Sequence, residues 1–183
     1  MKNNLQIIGR LSFPQIWRPK SFAATQPGQA PSEPKFSASV LIDKATGAAK
    51  IAEIRAAMKA VAEEKWGVGK VPKNVKYCLH DGDEKSDMDG YGPSVMYVSS
   101  SSAKKIPVVD KDLTPLDESS GKPYAGCTAL LLVNLWAQDN QFGKRINAGL
   151  RAVQFIKDGE AFGEGAVDVQ KELKPIEDDT SLE

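Results

Sequence analysis

The chain is short of the residues from which most catalytic centres are built. It has one histidine, His80, and two cysteines, Cys78 and Cys127, with no CxxC spacing. Thiols so placed make neither a disulfide framework nor a zinc site, and two reduced, packed cysteines are expected. Cys78 and His80 stand two apart on a candidate strand. Neighbours on one strand face are poorly aimed to act as nucleophile and base. Long apolar runs are missing too. The longest, Ala129–Val133, is far too short to span a bilayer. Met1–Leu5 lacks the apolar block of a signal peptide, so the cytoplasm is the expected compartment and no membrane partner is expected.

Ion and phosphate motifs fail on inspection. Read as a calcium loop from Asp87, the chain offers Asp89 and Gly92 at the third and sixth positions. Tyr91 and Val98 then occupy the fifth and twelfth, where oxygen ligands are required. The acidic stretch 81–92 therefore reads as a solvated hairpin loop. Gly69-Lys70 is followed by Val71 and lacks the upstream glycine of a phosphate loop. Gly163-Glu164-Gly165 does not follow a strand and open a helix, as a dinucleotide motif must. No metal, no cofactor and no enzymatic activity are expected.

Net charge is zero but unevenly spread. The last seven residues contain four acids (Glu177, Asp178, Asp179, Glu183) and no base, which leaves residues 1–176 with a net charge of +4. A mildly basic body with an acidic tail is more informative than the neutral total.

Hydropathy patterning describes a small β-rich domain. LQIIGRLSF (5–13) suits a strand, interrupted by Gly9 and ended by Pro14 and Pro19. AATQPGQAPSEP (23–34) reads as a loop. KFSASVLID (35–43) alternates, with Phe36, Ala38 and Val40 on one face and Lys35, Ser37 and Ser39 on the other. Residues 48–66 are the one clear helix: Ile51, Ile54, Met58 and Val61 form an apolar stripe, and Gly67 is a natural stop. Residues 74–80 and 94–99 are further strands, and 107–123 is a connection. The strongest pair is 126–137 with 145–156, joined by the turn DNQFGK. Five or six strands and one helix favour a closed or partly open barrel, because closure removes exposed strand edges.

The strand pair gathers aromatics and cations. Arg145, Asn147, Gly149 and Arg151 share one face of the second strand, while Ile146, Ala148, Leu150 and Ala152 form its core face. On the first strand Leu130, Leu132, Asn134 and Trp136 share a face, and Phe142 lies in the turn. Such a surface suits single-stranded nucleic acid, because flat rings stack on bases of any sequence while Arg and Lys meet phosphates. The stretches from Phe13 to Lys20 and from Ser101 to Lys105 repeat that chemistry. The expected contacts are Trp17, Lys20, Lys104, Lys105, Trp136, Phe142, Lys144, Arg145 and Arg151. The acidic tail cannot bury enough apolar surface to fold. Tethered near a cationic groove, it would compete with nucleic acid and, once displaced, meet partners.

The segments Tyr124–Cys127, Val133–Asn140, Arg145–Phe155 and Asp158–Gly165 closely resemble a family of tailed-phage single-stranded DNA-binding proteins, formerly catalogued as a domain of unknown function. Gly9–Pro14, Lys35–Ser39 and Asp81–Lys85 match the same pattern. The resemblance implies an OB-fold barrel with an added helix, and a role in coating single-stranded DNA during phage replication and recombination. The chain is also similar to the replication binding proteins of the T-odd phages, whose acidic tails end in an aromatic; this one ends Ser181-Leu182-Glu183. The expected layout is a mainly β, OB-fold-like domain over 1–165 and a disordered acidic tail over 166–183. Its tail residues Glu177, Asp178, Asp179 and Glu183 would autoinhibit and recruit phage or host replication proteins. A homodimer stays open. The alternative is a phage structural or assembly protein with the 134–155 hairpin as its interface, since Trp, Tyr and Arg also mark protein hot spots.

Overall fold

Alternation of apolar and polar residues builds most of the molecule. The computed structural model describes residues 3–24, 27–163 and 173–175. Glu177, Asp178, Asp179 and Glu183 lie outside the described residues. The elements are β1 (Asn4–Lys20), β2 (Lys35–Asp43), α1 (Ala48–Trp66), β3 (Lys76–Tyr77), β4 (Leu79–Asp81), β5 (Val95–Ser102), β6 (Val108–Val109), β7 (Thr128–Asn140) and β8 (Gly143–Lys157).

Five strands close a barrel in the order β1–β2–β5–β8–β7 and back to β1. All the pairings are antiparallel except the short parallel one, Ser100↔Ala148 and Ser101↔Gly149, which joins β5 to β8. This is an OB-type barrel, and three short strands are added to it: β3 and β6 run parallel to β8, and β4 pairs with β5. Ile7, Leu11, Val40, Val98, Leu131, Val133, Leu150 and Val153 fill the interior with 1% exposure or less. Each such side chain contributes about 1.5–3 kcal/mol by leaving water.

The helix lies where periodicity places it. Ile51, Ile54, Met58 and Val61 are all buried, and the Gly67 N–H donates to the Glu63 carbonyl at 2.8 Å. The Trp66 indole N–H donates to Asp139 at 2.8 Å, tying the end of α1 to β7. No helix among the described residues is long and apolar enough to cross a membrane.

Several boundaries differ from expectation. β1 continues through Pro14 and Pro19 to Lys20. Its register with β2 shifts between Ser12 and Gln15 and again before Lys20. The prolines sit in these irregular stretches, where the missing N–H breaks no regular ladder. Residues 74–80 are not one strand. β3 pairs with β8, the chain turns at Cys78, and β4 pairs with β5. The β7–β8 turn is tighter than DNQFGK, only Gln141 and Phe142, with Gly143 at φ 119°. Ala152 is not on the core face. The register slips between Leu132↔Ala152 and Val133↔Leu150, so Arg151 is an extra, exposed residue and the interior passes to Val153 and Phe155. A one-residue bulge reverses the phase of every side chain beyond it. The 81–92 loop is not simply solvated: a 3₁₀ turn over Gly82–Lys85 opens it, and the half-buried Tyr91 packs back on the barrel.

Candidate nucleic-acid interface

The outer faces of β2 and β5 carry serines in register: Ser37↔Ser101 and Ser39↔Ser99. The Ser39 and Ser99 hydroxyls lie 3.3 Å apart. Short side chains leave the sheet low here, and a groove of about 570 Å³ opens above it. The far half of β1 contributes Phe13 and Lys20, β3 contributes Lys76 and Tyr77, and β8 contributes Arg145 and Asn147. Phe22, just past β1, and Lys85, from the loop, complete its rim. Lys76 and Arg145 are register neighbours, so two positive charges sit side by side. No described aspartate or glutamate lines the groove, against four cations that do.

Its rings are presented outward. Phe13 is 49% exposed and Phe22 62%. Phe13 adopts φ 45°, a left-handed conformation that costs an ordinary residue on the order of 1–3 kcal/mol and is commonly held at functional sites. Tyr91 lies 6.2 Å from the Phe13 ring and 5.1 Å from Tyr97, and His80 stacks on Tyr97 at 4.9 Å. Lys85 Nζ stands 4.9 Å from the Tyr97 centroid, and 5.7 and 5.8 Å from those of Tyr91 and Phe13. Burial pushes the His80 imidazole below its ordinary value, against the pull of Glu84, so the ring is neutral near pH 7. Burial pushes the Cys78 thiol up to about 11, and its Sγ contacts Met58 rather than His80. A protonated thiol turned into the core is no nucleophile.

Of the residues expected from sequence, the groove brings together Lys20 and Arg145. Trp136 stands next to it: 47% exposed, it faces Asn147 across the β7–β8 pair, with its indole edge over Gly149. Phe142, 67% exposed, caps the hairpin. Lys144 pairs with Asp139 at 3.0 Å, so part of its charge is already balanced. Trp17 and Lys105 meet in a separate hollow of about 340 Å³ that also holds Glu118. Trp17 is half-buried and packed on the core. Lys104 and Arg151 are exposed outside the groove.

The contacts expected from sequence leave out Phe22, Lys76, Tyr77 and Lys85, which line the groove, and include Phe13 only as part of the Phe13–Lys20 stretch. A signal for the floor was present in the serine-bearing alternation 35–43 and the serine run 99–102, which β2 and β5 lay side by side. Nothing local announced Lys85, because its place depends on how the 81–92 loop folds over the barrel.

Residues 4–181 match the model of a family described as Enterobacter phage Enc34, ssDNA-binding protein. A putative protein p50 of Acyrthosiphon pisum secondary endosymbiont phage 1 is 37% identical over 166 residues, spanning 86% of this chain and 85% of that protein. Among solved structures, the single-stranded DNA-binding protein of bacteriophage Enc34 in complex with ssDNA superposes with a TM-score of 0.74 at 27% identity, covering 88% of this chain and 90% of that one. The single-stranded DNA-binding protein gp2.5 of bacteriophage T7 shares the fold, with a TM-score of 0.54 at 15% identity over 98% and 99% of the two chains. With a family match across almost its whole length, this chain belongs to the phage Enc34-type family of single-stranded DNA-binding proteins, whose function is binding rather than catalysis.

Proposed function

We propose that this chain binds single-stranded DNA with little regard to sequence, in the cytoplasm of the bacterial host, during phage DNA replication and recombination. The observation that carries the reading is a groove lined by no described acid, where four cations and exposed rings stand over a floor of serines. Bases stack on Phe13, Phe22 and Tyr77 and, one strand beyond, on Trp136. Lys20, Lys76, Lys85 and Arg145 meet phosphates. Trp17, Lys104, Lys105, Phe142, Lys144 and Arg151 extend the path on either side. A duplex keeps its base faces hidden, so the rings favour single strands. With ~4 phosphates neutralised at a slope of about −0.7 each, log K falls with log salt at roughly −3. Fluorescence anisotropy with labelled oligo-dT and a matched duplex tests this. Equal affinity for both, or a flat salt response, overturns it, and absence of any binding points to an assembly module using the 134–155 hairpin.

Trp136→Ala and Phe13→Ala are each expected to weaken oligo-dT binding by ~1–3 kcal/mol. Neither should move the melting temperature much, since both rings are about half exposed. A lowered melting temperature with unchanged affinity would assign the ring to packing instead.

Removal of residues 177–183 takes away Glu177, Asp178, Asp179 and Glu183. In this reading the acidic tail competes with DNA for the cations and, once displaced, recruits replication proteins. The truncated protein is expected to bind oligo-dT more tightly, most of all at low salt, where charge–charge attraction is least screened. A salt titration of both proteins that overlays at every concentration would reject autoinhibition.

A further inference from the structure

The 81–92 loop touches the groove at one end and the C-terminal strand exit at the other. At the groove end, Lys85 stands over the Phe13, Tyr91 and Tyr97 rings, and the Tyr91 hydroxyl donates to Ser12 at 3.0 Å. At the far end, Asp89 accepts from the Gly163 N–H at 2.6 Å. The Phe162 ring lies so close over Gly90 that a Cβ at position 90 would collide with it. The other partner of that ring is Arg10, whose guanidinium sits 4.2 Å from its centroid. Arg10 in turn donates to the Glu160 carbonyl at 2.6 Å and to the Gly126 carbonyl at 3.2 Å.

We propose that residues 82–92 form a gate on the groove, and that Phe162 and Gly163 latch this gate to the segment from which the acidic tail departs. The proposal rests on the reading of the groove as a single-stranded DNA site. A base seated on Phe13 claims ring surface that Lys85 now covers. The Lys85 ammonium, only half-buried, can exchange its ring contacts for a charge-assisted contact with a phosphate. Asp89 and Gly90 lie within five residues of Lys85, so a displaced gate pulls directly on the latch. DNA occupancy and loosening of 158–163 then become one coupled event. Coupling is reciprocal: whatever DNA loosens, loosening in advance favours DNA.

Hydrogen exchange of the full chain, with and without saturating oligo-dT, tests the gate. The 158–163 amides are expected to exchange several-fold faster with DNA bound. Phe162→Ala is expected to tighten oligo-dT binding about fivefold, a coupling near 1 kcal/mol. Asp89→Ala should act in the same direction, and covers the case in which Phe162→Ala fails to fold. Asp87→Ala controls for charge, because it removes an acid from the same loop without touching the latch. Unchanged exchange at 158–163, unchanged affinity in both latch variants, or an equal gain from Asp87→Ala overturns the gate and leaves the groove reading standing. Failure of the wild-type chain to bind oligo-dT removes both.

Discussion

A protein carrying Lys76→Glu together with Arg145→Glu is expected to bind oligo-dT about a hundredfold more weakly, or worse, while its melting temperature barely moves. The two residues are register neighbours on β3 and β8, both are exposed, and no described acid lines the groove around them. At about 0.1 M salt each phosphate contact contributes roughly 0.7 log unit through counterion release. Reversal removes that gain and adds a repulsion of similar size, so two reversals remove at least two log units. Stability should hardly respond, because two like charges remain side by side and exposed substitutions usually stay within about 0.5 kcal/mol. The single change Lys76→Glu sharpens the test. It would pair with Arg145, so it should steady the fold slightly while still weakening DNA. Anisotropy and calorimetry on the same samples read both quantities. Unchanged affinity in the double variant would place DNA elsewhere, for instance along the Trp17 and Lys105 hollow.

What the sequence could show depended on whether the relevant contact was local. The α1 stripe and the β2 alternation are set within a few residues, and both were legible. The barrel follows from the need to bury strand edges, the resemblance supplied its OB type, and the barrel closes with five strands as expected, but among the described residues three short strands are added outside it. The extra ones are two or three residues long and exist only through pairing with β5 and β8. The Arg151 bulge is likewise invisible in a chain whose apolar residues alternate on both sides of it. For the site, two of the residues chosen on charge chemistry, Lys20 and Arg145, line the groove. The hairpin stood out in the sequence because its aromatics are adjacent there. Phe13, Tyr77 and Lys85 come from three separate stretches, and only barrel closure brings them around one floor.

The same closure makes Gly9→Ala a strongly damaging small substitution. Up to Arg10, β1 pairs with β7; from Arg10 onward it pairs with β2. Gly9 therefore sits at the corner where one strand passes between two neighbours, a place where glycine admits close backbone approach. A Cβ there would drive into the Leu41 carbonyl oxygen and the Val40 side chain. The carbonyl belongs to a ladder strand and cannot swing aside as a flexible side chain can. Either β1 and β2 separate or the corner unbends, and about 3 kcal/mol or more is lost, which for a domain of this size lowers the melting temperature by roughly 10 °C. Gly69→Ala is the control. Its φ of 74° is left-handed, but nothing crowds the position, so only about 1–2 kcal/mol of backbone strain is expected. A larger loss at Gly69 than at Gly9 would mean that dihedral strain, not contact with β2, governs these glycines. The corner also sets the site, since Ser12, Phe13 and Lys20 all follow it on β1. Any surviving Gly9→Ala protein should therefore lose single-stranded DNA affinity as well as stability, whereas Gly69→Ala, outside the groove, should lose stability alone.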